Sequence, residues 1–159
     1  MRFQRGQSIV EFALVLPLFL LFTFAIIYFG CAFADYVTLG TIARSSAREA
    51  AVLQPQKEKQ QVPDYTPIRN GFVNQKLPFD IYEWNPGTNA KDFEITYEKS
   101  QDTKDTSQKG NVKVTVRARL QGFGKDLVRI VNGLSDSNID GNLNITYTMY
   151  SEHNWSNKK

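Results

Sequence analysis

Apolar and polar positions fall into three regimes along the chain. From Phe12 to Ala34 no residue is charged over 23 positions, and Ile, Leu, Phe, Val and Ala dominate. At about 1.5 Å of rise per residue such a run makes a helix of roughly 35 Å, enough for a hydrocarbon core of about 30 Å. The pattern predicts a membrane span. From Asp35 to Leu53 the apolar residues thin to a stripe of Tyr36, Leu39, Ala43, Ala47 and Ala50 at three- and four-residue spacing, so the helix is expected to continue beyond the span. Gln54-Pro55 ends it, because the residue before a proline is pushed out of the α region. A helix over 7–53 would be about 70 Å long. Pro17 falls early in the span, where neighbouring helices can cover the carbonyl it frees. Gly30 with Ala34, and Ala43 with Ala47 and Ala51, form small-residue faces that would permit close helix approach.

Residues 54–64 are polar and without apolar period, a linker. Thr66-Pro67 then offers an N-cap and a first-turn proline for a short helix with Ile68, Phe72 and Leu77 on one side, closed by Pro78. Phe79 to Trp84 suggests a strand cut short by Asn85-Pro86-Gly87. Beyond it the alternation is strict: Phe93, Ile95 and Tyr97; Val112, Val114, Val116, Ala118 and Leu120; Leu143, Ile145, Tyr147 and Met149. Period two over these lengths predicts half-buried strands. The first two read as an antiparallel pair across the Ser100–Gly110 loop, with Glu94 and Glu98 on the same face as Lys113 and Arg117 to help set register. Leu127, Ile130, Val131 and Leu134 mark a short amphipathic helix ending near Gly133. The expected fold is α+β: a long N-terminal transmembrane and amphipathic helix, then a small antiparallel sheet domain over 65–159.

Charge orients the span. Arg2 and Arg5 precede it with no acid before Glu11, while Asp35 follows it. The positive-inside bias therefore predicts a cytoplasmic N-terminus and an exported C-terminal domain. The net charge of +3 falls to +1 if a leader containing Arg2 and Arg5 is removed, which does not point to nucleic acid. Cys31, the one cysteine, lies inside the span, so no intramolecular disulfide can form.

The start of the span holds the most informative chemistry. Glu11 is a carboxylate at the apolar edge, which is costly and calls for a partner. Gly6 stands five residues before it, behind the basic leader, and no small-residue cleavage site closes the apolar run. Cleavage, if it occurs, should fall before the span. Basic leader, Gly6, four residues, Glu11, Phe12 and an apolar helix together resemble the prepilin signature of type IV pilus systems. More narrowly, Gly6-Gln7-Ser8-Ile9-Val10-Glu11-Phe12-Ala13-Leu14-Val15-Leu16-Pro17-Leu18 resembles the start of the TadE-like pseudopilins of tight-adherence (Flp) pili. Ala43-Arg44-Ser45-Ser46-Ala47-Arg48-Glu49-Ala50-Ala51 is similar to the Ala/Arg-rich helix end of that family. The resemblance covers about the first third of the chain and does not separate TadE-like from TadF-like roles. It implies a pilin-like fold, residues 1–6 as a leader cut by a prepilin peptidase between Gly6 and Gln7, and other pilins and pilus assembly proteins as partners. It also implies a bacterial inner membrane location, with the exported domain periplasmic or carried into the pilus. Many type IV pilins have Phe at the first mature position; Gln7 stands there in this chain.

Catalysis is not expected. His153 is the one histidine, in a polar tail, so neither a Ser/His/Asp triad nor a Cys/His site can be assembled. Gly122-Phe123-Gly124 lacks the spacing of a phosphate loop. Asp136, Asn138 and Asp140 with Gly141 match the first half of a calcium loop, but Tyr147 occupies the twelfth position where the bidentate Glu would stand. An Asx/Gly turn is the simpler reading. Otherwise no cofactor is expected. The expected function is non-catalytic pilus assembly. The alternative is an uncleaved signal-anchor protein whose exported domain binds an envelope ligand or surface partner.

Overall fold

Helix α1 runs without interruption from Gln4 to Val52, 49 residues with Pro17 inside it. It begins three residues before the expected Gln7 and ends one before Leu53. In this computed structural model the described residues are 4–53, 63–87, 90–98, 110–135 and 138–152. Hydroxyls along α1 bond back into their own helix: Thr23 to the Phe19 carbonyl, Thr38 to Ala34 and Thr41 to Val37, each at 2.9 Å. That pattern satisfies each hydroxyl within the helix, and for Thr23, inside the apolar run, it does so without water.

The upper half of α1 is covered by an antiparallel sheet. Its strands are β1 (Tyr82–Glu83), β2 (Phe93–Glu98), β3 (Asn111–Leu120) and β4 (Leu143–Tyr150), with helix α2 (Thr66–Phe72) before them and α3 (Gly122–Leu134) between β3 and β4. Strand β3 is central and pairs with the other three: Phe93 opposite Val116, Ile145 opposite Val116 on the other side, and Tyr82 opposite Leu120. The inward residues of β3, Val112, Val114, Val116 and Ala118, are buried against Leu39, Ile42, Ala43, Ala47 and Ala50 of α1. The expected α+β layout of long helix and small antiparallel sheet is the one observed.

The outer face of the sheet carries the expected charge pairs. Arg117 meets Glu94 and Lys113 meets Glu98, each at 3.2 Å. Both pairs are diagonal, since Glu94 lies opposite Thr115 and Glu98 opposite Asn111; diagonal neighbours remain within reach of long side chains. At the far end the Glu152 backbone N–H donates to the Ala51 carbonyl at 2.9 Å. This satisfies one of the carbonyls left open at the end of α1 and ties the end of β4 to it.

Several expectations need correction. Tyr36 does not belong to the buried stripe: it is 45 % exposed, with its ring stacked on Phe33. Ala43, Ala47 and Ala51 are covered by the chain's own domain, so they serve close helix–sheet packing rather than helix–helix approach. Helix α2 stops at Phe72, and Leu77 is buried in the core from the irregular segment after it. Thr66 is not the N-cap. Tyr65 occupies that position, and the Asp64 carboxylate accepts the Thr66 backbone N–H at 3.0 Å. The strand expected over Phe79–Trp84 shrinks to Tyr82–Glu83, because Asp80 adopts a left-handed conformation (φ 51°) and the flanking amides bond elsewhere.

Candidate functional site

Between Ile9 and Gly30 the large apolar side chains of α1 are exposed to whatever surrounds the protein. The most apolar stretch is long enough to cross a membrane, and none of it is buried by the rest of the chain. A soluble protein would cover such a surface, whereas a helix that spans a bilayer leaves it to lipid. The chain therefore has the layout of a single-pass membrane anchor with a domain mounted on the same helix.

Where the domain begins, Asp35 is wholly buried. Its two carboxylate oxygens accept the backbone N–H groups of Phe79 at 3.0 Å and Ile81 at 2.8 Å. Those amides flank Asp80, whose left-handed backbone turns both toward one anion, a small nest of the kind that binds carboxylates. Gln121, just after β3, donates to the Asp80 carbonyl at 2.6 Å. One carboxylate on α1 thus fixes the segment leading into β1, and Gln121 ties that segment to the start of α3. From sequence Asp35 was only a marker of orientation; its lone position after 23 uncharged residues was the available signal.

A second acidic node lies at the sheet edge. Asp92 is buried, receives both terminal nitrogens of Arg119 at 3.2 and 3.1 Å, and accepts the Asn85 backbone N–H at 3.2 Å. Its carbonyl accepts from the Trp84 indole and from the Arg117 backbone. Nearby, an open groove of about 480 Å³ is lined by Lys76, Asp80, Tyr82, Glu83, Trp84 and Gln121 among others. No histidine, cysteine or serine is among its lining residues.

The two glycines that failed the phosphate-loop test have structural duties. Gly122 takes φ +58°, turning the chain from β3 into α3. Gly124 lies against the Tyr28 hydroxyl and Leu120, where a Cβ would collide with both. Phe123 meets the Tyr28 ring edge-on at 5.9 Å. Helix α3 is thereby held beside the upper part of the apolar span.

Of the residues singled out from sequence, Gly6 and Gln7 fall in the opening turns of α1, so the backbone is helical across that bond. Glu11 and Phe12 follow on the same helix, both exposed. Asp140 accepts the Asn142 backbone N–H at 3.0 Å, forming the Asx turn into β4. Asn138 is exposed in the same loop, while Asp136 and His153 lie outside the described residues. Among the described residues no group of three or more His, Cys, Asp or Glu side chains gathers to hold a metal.

A helix that is half bare and apolar and half covered by its own antiparallel sheet has the layout of a single-pass membrane anchor carrying a small α+β domain. The family model described as TadE-like protein matches residues 6–48, from Gly6 through the span and into the part of α1 under the sheet. Over that segment, 43 of the 159 residues, the chain is similar to TadE-like proteins. No curated protein and no solved structure matches the chain.

Proposed function

We propose that the protein is a non-catalytic minor pseudopilin, needed for assembly of a tight-adherence pilus and processed between Gly6 and Gln7. The observation that carries this reading is the TadE-like match from residue 6 onward, lying on one continuous helix that joins a bare apolar half to a sheet-covered half. A membrane prepilin peptidase would cut on the cytoplasmic side, leaving the exported domain attached to its anchor. Cleavage would create an α-amine at Gln7, largely cationic near neutral pH. Gln7 and Glu11 are four apart, so they share a helix face one turn from each other. Within one subunit or between neighbours, Glu11 would compensate that amine at the membrane edge, fixing the axial register of packed helices. The sheet domain would present its surface to other pilins and pilus assembly proteins.

The test is a pair of variants in cells carrying the native peptidase. A bulky replacement of Gly6 should leave unprocessed precursor in the membrane. Glu11→Ala should be processed as usual yet be lost from assembled pili. Normal piliation with Glu11→Ala would refute the charge pairing, and normal processing of the Gly6 variant would refute the cleavage site.

A further inference from the structure

Helix α3 has three faces, and one of them is unaccounted for by the fold. Gly124, Val128 and Asn132, four residues apart, face the domain: Gly124 is buried, and Asn132 exchanges hydrogen bonds with the Ile139 backbone at 3.0 and 2.9 Å. Lys125, Asp126 and Arg129 are exposed on a second face. Phe123, Leu127, Ile130, Val131 and Leu134 form the third, apolar and also exposed; Leu134 is 84 % exposed, Phe123 64 % and Ile130 57 %. By helical spacing this face points well away from Lys125 and Arg129.

Its position along α1 says what covers it. Phe123 packs edge-on against Tyr28, inside the uncharged run that ends at Ala34. Tyr28 is about 24 Å along the helix axis from Phe12, on a span crossing a hydrocarbon core of about 30 Å. The contact therefore lies roughly 6 Å inside the boundary on the domain's side. That is the depth at which amphipathic helices lie in a membrane surface, roughly 5–10 Å into the boundary between headgroups and acyl chains. Through Tyr28 the apolar face of α3 is continuous with the bare apolar surface of α1, while the charged face is turned toward the headgroups and water.

We propose that α3 is an interfacial helix, its apolar face seated in lipid of the leaflet on the domain's side of the membrane that α1 crosses. With α1 and α3 both engaged, and α3 pinned through Gly124 and Asn132, the sheet is held at a fixed height and rotation above the membrane. This rests on the membrane reading of α1, not on pilus assembly or processing.

Spin-label depth measurement on the full chain in phosphatidylethanolamine/phosphatidylglycerol vesicles tests it. A Cys31→Ser background removes the native thiol, and single labels are placed with Ile130→Cys, Leu134→Cys, Arg129→Cys and Ile26→Cys. Labels at Ile130 and Leu134 should be roughly five-fold less accessible to a water-soluble nickel chelate than the label at Arg129, and correspondingly open to oxygen. Equal chelate accessibility at all three positions, with Ile26 still protected, would overturn the proposal while leaving the span intact. Accessibility at Ile26 as well would overturn the span and the proposal together. Protection at Ile130 that vanishes as the lipid-to-protein ratio is raised would assign the face to a second copy, and would also overturn it.

Discussion

Replacing Asp35 isolates the contact on which the placement of the domain on α1 depends. Asp35→Ala leaves the Phe79 and Ile81 N–H groups, which donate to it at 3.0 and 2.8 Å, without their acceptor. Both bonds are half-buried and charge-assisted, worth about 1.5–3 kcal/mol each and less where water can replace the carboxylate, so the pair should cost roughly 2–6 kcal/mol. For a domain of this size about 1 kcal/mol moves the melting temperature by about 4–8 °C, so a drop of at least about 8 °C is expected. Asp35→Asn retains one carbonyl oxygen but turns an amide NH2 toward the other backbone donor. It should lose about 1.5–3 kcal/mol, one charge-assisted bond. Asp126→Asn, on an exposed carboxylate of α3, is the control and should stay within about 0.5 kcal/mol. The assay is thermal unfolding of the full chain in micelles, with hydrogen exchange read at Phe79 and Ile81. Melting of Asp35→Ala within about 2 °C of the parent, with both amides still protected, would refute the clamp.

Two further predictions follow from the same side-chain geometry. Asp92→Ala removes a buried acceptor of Arg119 and of the Asn85 amide and should cost about 1–3 kcal/mol, whereas Glu94→Gln breaks a half-exposed pair with Arg117 and should cost no more than about 0.5 kcal/mol in parallel denaturant titrations. Burial, with the nearby Tyr97 adding to it, pushes the Tyr65 hydroxyl up from 10.0 to about 12. The folded state therefore holds that proton more tightly than the unfolded chain, and its contribution is complete below pH 10 and lost as pH rises toward 12. Tyr65→Phe should flatten that part of the stability–pH curve; an unchanged alkaline slope would contradict the assignment.

How far the chain could be read in advance varied with the range of the interactions. The three long strands announced themselves because one face of each is buried and the other solvated, and Glu94–Arg117 and Glu98–Lys113 followed from that alternation. The span and the Gly6–Glu11 motif are local patterns, and so was α3 as an amphipathic helix. What sequence could not supply were contacts made across long separations. Asp35 binds amides more than forty residues away, and nothing in its own neighbourhood signals them. Those same bonds, with the left-handed Asp80, explain why Phe79–Trp84 reads as a strand yet forms only two residues of one. The alanines of α1 likewise read equally well as a helix–helix face until the sheet is seen lying on them. Gly124 could not be matched to Tyr28 before β3 and α3 were placed.

The central claim, a TadE-like anchor processed for pilus assembly, is tested most directly by the N-terminal sequence and intact mass of the protein from membranes of cells carrying its native prepilin peptidase. The account predicts a chain starting at Gln7 with the span attached and the mass reduced by that of residues 1–6. A chain starting at Met1 in those cells would contradict processing and favour a plain signal anchor, while one starting beyond Ala34 would contradict the membrane span itself.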